Sequence, residues 1–462
     1  MKLQSEHFRE NLPAFLNNRQ LRQNLAHATR TVLARRQALV AEIPDWEARR
    51  RAAYRKKKAL LEDWDRQLAV FAEQAGRRGV QVYRAEDAAQ AVALAVEIAR
   101  RHNVRQVIKS KSMLTEEIGL NEGLAAQGVE VTETDLGEWI LQLAGEAPAH
   151  LTAPAIHKST EQIAELFSRK LGRPCPADPQ ELTRIARDHL RRKFLQAQMG
   201  ISGANFAIVE EGAIAIVENE ANARLTVSLP PVHVAFIGME RLLARRQDLA
   251  LFLPLLTISS TAQKLTSFVS YLTGPAAADA LDGPRHVYFI LVDNGRRRMG
   301  RDARLRQALY CIRCGACYNA CPVYQTIGGQ AYGWVYQGPI GAVITPELVG
   351  LERAQQLPFA SSLCGACSQI CPVHIPLHEL LLYQRHRIVA AGLTPHPERL
   401  AMRLFGWMFQ RWDRYSKAFA WLHRLPWQRL AGSWSRTRRL PMLARRAFRQ
   451  RAHSLFPRNR PQ

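Results

Sequence analysis

The chain has 462 residues, 47% hydrophobic and 23% charged, an ordinary globular composition with room for two or three folded units, which excludes wholesale disorder or a fibrous repeat. Its net charge of +24 sits at the ends: residues 1–78 carry 17 Lys or Arg against 9 Asp or Glu, residues 79–384 carry 29 against 29, and residues 385–462 carry 18 against 2. That neutral centre argues against a nucleic-acid enzyme, and neither a secretory signal nor an apolar run near the roughly 20 residues of a bilayer span is legible, so the expectation is a soluble, cytoplasmic protein.

Residues 1–69 read as a helical extension. Leu21, Leu25, Ala28, Val32 and Leu39 recur at helical spacing, and Pro44 opens a second helix. The charged run 49–58 reads as a solvated helix face.

From Gly79 short apolar runs alternate with amphipathic helices. Strands are expected at 80–83, 104–108, 129–132, 206–209, 213–217, 233–237 and 287–292, and helices at 86–101, 114–126, 161–171 and 179–196. Such alternation predicts an α/β domain over 70–295 with a largely parallel sheet. Polar clusters follow several strands, where open α/β sheets bind ligands. Lys109, Ser110, Lys111 and Ser112 stand before a helix opening at Leu114, the makings of an anion site. Asp135–Glu138, His157, Lys158, Asn205, Asn219, Glu220 and residues 293–296 are further polar clusters, each readable as a cap, turn or salt bridge. No catalytic triad, Walker loop or complete G-x-G-x-x-G is present.

Seven of the eight cysteines fall between 311 and 371; the eighth, Cys175, reads as an incidental loop thiol. Cys311, Cys314, Cys317 and Cys321 with Pro322 spell C-x2-C-x2-C-x3-C-P, the bacterial run for iron–sulfur ligation in which the fourth thiolate reaches the other cluster. Cys364, Cys367, Cys371 and Pro372 repeat its second half, but Ser361 stands where a full copy would have cysteine. The crossing rule predicts one cluster on Cys311, Cys314, Cys317 and Cys371 and a second on Cys321, Cys364 and Cys367, one thiolate short. That second cluster is either a [4Fe–4S] core completed by Ser361, water or another ligand, or a [3Fe–4S] core. Zinc fits poorly, because seven cysteines with two Cys-Pro endings match no ordinary zinc set. With helices expected at 346–355 and 377–389 and few strand signals, residues 296–392 read as a helical two-cluster ferredoxin domain.

The tail, 393–462, combines Trp407, Trp412, Trp421, Trp427 and Trp434 with 15 arginines. It suits an anionic membrane surface such as the inner membrane face, an acidic partner or nucleic acid, or wraps the ferredoxin domain as helix.

Lys109-Ser-Lys-Ser-Met-Leu-Thr-Glu-Glu-Ile, Glu133-Thr-Asp-Leu-Gly-Glu-Trp-Ile, Pro154-Ala-Ile-His-Lys, Ser202-Gly-Ala-Asn-Phe and Val292-Asp-Asn-Gly-Arg, followed by the paired cysteine motifs, resemble the lactate utilization protein B family over roughly residues 70–385. The resemblance implies a lactate-utilization domain similar to the ribose-phosphate isomerase and coenzyme A transferase folds. It also implies an iron–sulfur subunit acting with two companion subunits in oxidation of L-lactate to pyruvate, with the seven cysteines as ligands and no catalytic residue to transfer. At residues 210–213 and 219–222 the chain departs from the family pattern, which more often reads Thr-Gly and Asn-Glu-Gly-Asn.

The expected function is electron transfer from a lactate-oxidising partner to an undefined acceptor. Two rivals remain: an enzyme whose α/β domain binds a carboxylate or coenzyme A substrate at Lys109 and Lys111, and an iron–sulfur regulator that binds nucleic acid through its tail.

Overall fold

The structure, a computed structural model, describes residues 3–422. Residues 1–391 form one compact unit and residues 392–462 a second. Trp427 and Trp434 and most of the tail arginines lie outside the described residues.

The first unit is built on a six-stranded, wholly parallel sheet. Its strands are β1 (Gln81–Ala85), β2 (Gln106–Lys109), β3 (Glu130–Glu133), β4 (Met199–Gly203), β7 (Val232–Gly238) and β10 (His286–Val292), in the order β1-β10-β7-β4-β2-β3. Chain order reverses between β2 and β4, which opens a crevice at the carboxyl ends of these strands. A smaller sheet, β5 (Phe206–Ile208), β6 (Ala213–Glu218), β8 (Leu242–Leu243) and β9 (Phe268–Leu272), runs β8-β5-β6-β9 with antiparallel β5·β6 and β6·β9 pairs. The central strands are buried on both faces, which explains their continuous apolar runs such as Val287 to Val292.

Three strands are additional to the sequence reading, and β4 shows why. Its Met-Gly-Ile-Ser-Gly carries two glycines, which weaken any strand signal. A Cβ on Gly200 would lie 1.9 Å from the Thr226 carbonyl oxygen, so helix Asn222–Ser228 can pack here only against glycine. The helix expected at 114–126 is two helices, Met113–Glu117 and Leu120–Ala125, divided at Gly119 where φ is +68°. Where the sequence suggests a helix at 346–355, the chain is helical over Gly338–Val349 instead. Pro339 in its first turn and buried Ile340, Val343 and Ile344 set that start, and Gly350, at φ +102°, ends it.

His233 in β7 is buried, its Nε2 2.8 Å from Ser202 Oγ, and burial pushes its pKa down to about 3. Unfolded, the same imidazole titrates near 6.5, so below that pH the unfolded chain binds one proton more than the folded chain. The contribution is complete above the unfolded value and is lost as pH falls from about 6.5 toward 3, by about 1.4 kcal/mol per pH unit. Urea unfolding at pH 7.5, 6 and 5 is expected to show this slope, and His233→Gln to flatten it; an equally steep profile in the variant would refute the assignment.

The N-terminal helices Phe8–Asn17, Arg19–Ala41, Trp46–Glu62 and Trp64–Arg77 pack against both the α/β region and the cysteine region. The charged run 49–58 is only partly a solvated face. Arg50 and Lys57, seven residues apart, are buried on the stripe of Ala53, Leu60 and Leu61. Arg50 Nε donates to the Cys371 carbonyl at 2.9 Å, and Lys57 Nζ donates to the carbonyls of Glu240 at 2.5 Å and Leu242 at 3.2 Å. Internal carbonyl acceptors, invisible in sequence, draw these cations inward.

Residues 296–391 are helical, with Ala316–Asn319, Pro322–Ile327, Gly338–Val349, Ala366–Ile370 and Leu377–Ala390 among their elements. In the second unit, helices His396–Phe409 and Trp412–Leu422 leave Leu400, Met402, Phe405, Trp407 and Trp412 exposed. Among the described residues no helix is long and apolar enough to cross a membrane.

Candidate metal centre and adjoining cavity

The two cysteine motifs share one backbone. Arg313 and Gly315 flank Cys314 at φ +59° and +75°, and Leu363 and Gly365 flank Cys364 at +55° and +82°. Each glycine is followed by a short helix carrying the next cysteine, Cys317 in Ala316–Asn319 and Cys367 in Ala366–Ile370. The repeat extends to the missing ligand. Arg313 N–H points at Cys311 Sγ at 3.4 Å, and Leu363 N–H points at Ser361 Oγ at 3.1 Å. Ser361 thus occupies in the second motif the local geometry that Cys311 occupies in the first.

Electrostatic influence sorts the thiols into two groups. Cys314 responds to Cys311 and Cys371; Cys317 responds to Cys311, Cys314 and Cys371; and Cys371 responds to Cys311. Cys321 responds to Cys364, and Cys367 to both Cys321 and Cys364. Cys317 also feels Cys367, so the groups adjoin there. Burial, then neighbouring thiols, raises the pKa of Cys314 and Cys317, and burial first also pushes Cys367 and Cys371 up to about 11. A set of thiolates so opposed by its surroundings needs positive counter-charge, which ligated iron supplies; the donor set therefore fits iron–sulfur clusters.

The surroundings are asymmetric. Cys314, Cys317, Cys321, Cys367 and Cys371 are buried and Cys311 is half-buried, whereas Cys364 is exposed. Tyr318, Tyr324, Tyr332 and Tyr336 are fully buried in the same region, Tyr318 nearest Cys317 and Tyr332 nearest Cys321. From the N-terminal helices, Arg36 Nη2 donates to the Ile370 carbonyl at 3.0 Å beside Arg50 on Cys371, placing two guanidiniums next to this loop. Ile375 N–H reaches Cys371 Sγ at 3.4 Å. Cys175 is a free thiol between two helices of the α/β region and joins neither group.

A cavity of about 260 Å3 opens at the carboxyl ends of β2, β4 and β7 and runs to the first cysteine motif. Ser110, Lys111 and Ser112 line one part of it, and Arg241, Arg296, Arg313 and Tyr336 line another. The Lys109–Ser112 candidate divides here. Lys109 is wholly buried, 2.8 Å from Glu133 and 3.0 Å from Glu116. Burial would lower its pKa, but those carboxylates outweigh it, so the ammonium is firmly charged and already paired. Nearby Glu138 is pushed up to about 8 by burial and then by Glu133. Lys111 turns to the cavity, donating to the Thr152 carbonyl at 3.0 Å and lying 3.9 Å from Asp135.

Of the other polar clusters, Asp135 caps helix Leu136–Ala144 and lines the cavity with Asn205, Asn219 and Glu220, while His157 hydrogen-bonds and Lys158 ion-pairs with Glu146 away from it. The Asp293–Arg296 turn delivers Arg296 to the cavity floor. Its guanidinium holds Glu117 through two bonds of 2.8 and 2.7 Å and Glu240 through one of 2.7 Å, and Tyr336 donates to Glu117 at 2.7 Å. Glu240, Arg241, Thr257 and Arg313 were not legible as site residues, because no local spacing ties them together. The one usable signal was Arg313's place between two ligand-type cysteines. At residues 219–222, Ala221 holds φ +60°, a conformation glycine adopts without strain.

Residues 68–292 match the LUD domain, and residues 307–375 match the 4Fe-4S dicluster domain. The chain is 42% identical over 408 residues to lactate utilization protein B of Bacillus licheniformis and likewise of Bacillus subtilis, in each case over 88% of this chain and 85% of the relative. The corresponding protein of Geobacillus thermodenitrificans is 44% identical over 407 residues, with the same coverage. This chain belongs to the lactate utilization protein B family. Within this chain, the dicluster match takes in all seven clustered cysteines and Ser361, and the LUD match takes in the cavity wall from Ser110 to Thr266. A DUF162 family protein of known structure from Deinococcus radiodurans aligns with 50% of this chain and 98% of its own at 14% identity and a TM-score of 0.27, too low to carry an argument.

Proposed function

We propose that this chain is the iron–sulfur electron-transfer subunit of an assembly that oxidises L-lactate to pyruvate, with companion lactate-utilization subunits as its partners. The observation that carries the reading is the pair of adjoining thiol groups, one enclosed and one reaching the surface at Cys364. In this reading Cys311, Cys314, Cys317 and Cys371 hold one cluster. Cys321, Cys364 and Cys367 hold the other, a [4Fe–4S] core with Ser361 at its fourth position. Such clusters, when bound, exchange one electron at a time, so a pair suits the two electrons released per lactate.

The chain's own residues supply the rest. The tyrosines and the N-terminal helices keep water from the buried thiols, and Arg36 and Arg50 set positive charge beside the Cys371 loop. Exposed Cys364 gives a docked electron partner a short approach. The two-electron step on lactate falls to a companion subunit, and the assembly works in the cytoplasm. The basic tail reads as its contact with an acidic partner or the inner membrane face. In a strain lacking the chromosomal gene, Cys317→Ala is expected to abolish growth on L-lactate while growth on glucose is retained; undiminished growth on lactate would overturn the reading.

The fourth position has its own test. Ser361→Cys should leave iron content unchanged while altering the Mössbauer and EPR spectra of one cluster, because thiolate replaces oxygen at one iron. Identical spectra would exclude Ser361 from that iron.

A further inference from the structure

Glu240, at the carboxyl end of β7, gathers three guanidiniums. Arg296 Nε is 2.7 Å away, but Arg313 and Arg241 lie at 3.6 and 3.8 Å, too far for hydrogen bonds. Glu117 is the other carboxylate of the cluster and is taken bidentately by Arg296. Leaving the cysteines aside, three fixed cations thus face two carboxylates at a buried cavity wall. Among them is Arg313, whose side chain is 9% exposed. Its plane lies over the Tyr336 ring at 4.4 Å, and its Nε and Nη1 are buried without a hydrogen-bond partner. Thr257 Oγ1, on the same cavity wall, is likewise buried and unpartnered. Orphaned groups of this kind are costly in a folded chain and mark places where something else completes the bonding.

The acidic lining is already committed. Asp135 Oδ1 accepts from Glu138 N–H at 3.1 Å, Glu218 accepts from Ala223 and Arg224 N–H at 2.7 and 2.6 Å, and Glu220 accepts from Leu136 N–H at 3.2 Å. These carboxylates would tolerate a singly charged guest and repel a dianion. The cavity is small, at about 260 Å3, and mixes the hydroxyls of Ser112, Thr257 and Ser260 with the cations.

We propose that this cavity binds a small monocarboxylate bearing a hydroxyl or keto oxygen, with Arg313 as its charge anchor and Thr257 as a hydrogen-bond partner. Arg313 lies between Cys311 and Cys314, so the guest sits against the loop assigned to the enclosed cluster. The inference deepens the electron-transfer reading and rests on it in that one respect.

The test is calorimetric titration of anaerobically reconstituted full-length protein, clusters oxidised, with sodium pyruvate and, in parallel, inorganic phosphate; iron per chain is measured on every sample. Loss of cluster and loss of binding are thereby read separately. Saturable pyruvate binding is expected, weakened at least about tenfold by Arg313→Gln and about threefold or more by Thr257→Val, with iron unchanged. If Arg313→Gln does not take up iron, Thr257→Val and Arg241→Gln decide by the same criterion. No saturable binding to iron-loaded wild type, binding of phosphate only, or pyruvate affinity unchanged in the iron-loaded variants would overturn the proposal. So would an Arg313→Gln protein whose cluster spectrum changes while its pyruvate affinity does not, since Arg313 would then serve the cluster alone.

Discussion

Cys371→Ala is expected to produce the same spectroscopic loss as Cys311→Ala, and Cys364→Ala the same loss as Cys321→Ala. Each exchange should remove about half of the iron. The pairing is counter-intuitive in sequence, because Cys371 lies four residues from Cys367 and fifty or more from Cys311, Cys314 and Cys317. It follows from which thiol lies near enough to influence which, Cys311 acting on Cys371 and Cys364 on Cys321. Cys371→Ala carries a second cost: buried Arg50, which bonds the Cys371 carbonyl, keeps its charge when the neighbouring thiolate is gone. EPR of reduced single variants is the check. If Cys371→Ala matched Cys364→Ala, the ligand sets would be sequential and the crossed assignment wrong.

Arg296→Met is expected to destabilise the folded chain by about 3–5 kcal/mol, because it strands two buried carboxylates rather than merely deleting a contact. Glu117 and Glu240 are each nearly inaccessible and depend on this guanidinium for three short bonds. Burial alone would raise the Glu240 pKa, and Arg296 is foremost among the groups that hold it down. The network also ties helix Met113–Glu117 to the helical region through the Tyr336 hydroxyl, so its loss should loosen the cavity wall beside Arg313. Urea unfolding of reconstituted protein measures the loss. Adding Glu117→Gln and Glu240→Gln should restore much of it; a loss below 1 kcal/mol in Arg296→Met would mean that water or another cation already serves these carboxylates.

What the sequence made legible was local. Thiols at fixed spacings and the apolar runs of β7 and β10 are readable within a few residues. The helix Pro179–Gln196 has both bounds where periodicity and its N1 proline put them. What escaped was non-local. Gly200 and Gly203 in β4 look like strand breakers until helix Asn222–Ser228 and Ser112 are brought against them. Arg50 and Lys57 look like solvent-facing charges until carbonyls at Cys371, Glu240 and Leu242 are placed beside them. Strand alternation would put Lys109 and Lys111 on one face, but β2 ends at Lys109 and Lys111 lies beyond it, so one enters Glu133 and the other turns toward the cavity. The cavity itself joins residues from 110 to 336, a set no window of sequence contains.

The most direct test of the account is iron and acid-labile sulfide per chain in the full-length protein, prepared anaerobically and reconstituted, with EPR after reduction. Two adjoining cubane clusters predict about eight iron and eight sulfide per chain and signals broadened by spin coupling between neighbours. A colourless, iron-poor protein, or one that takes up zinc in place of iron and sulfide, would contradict it.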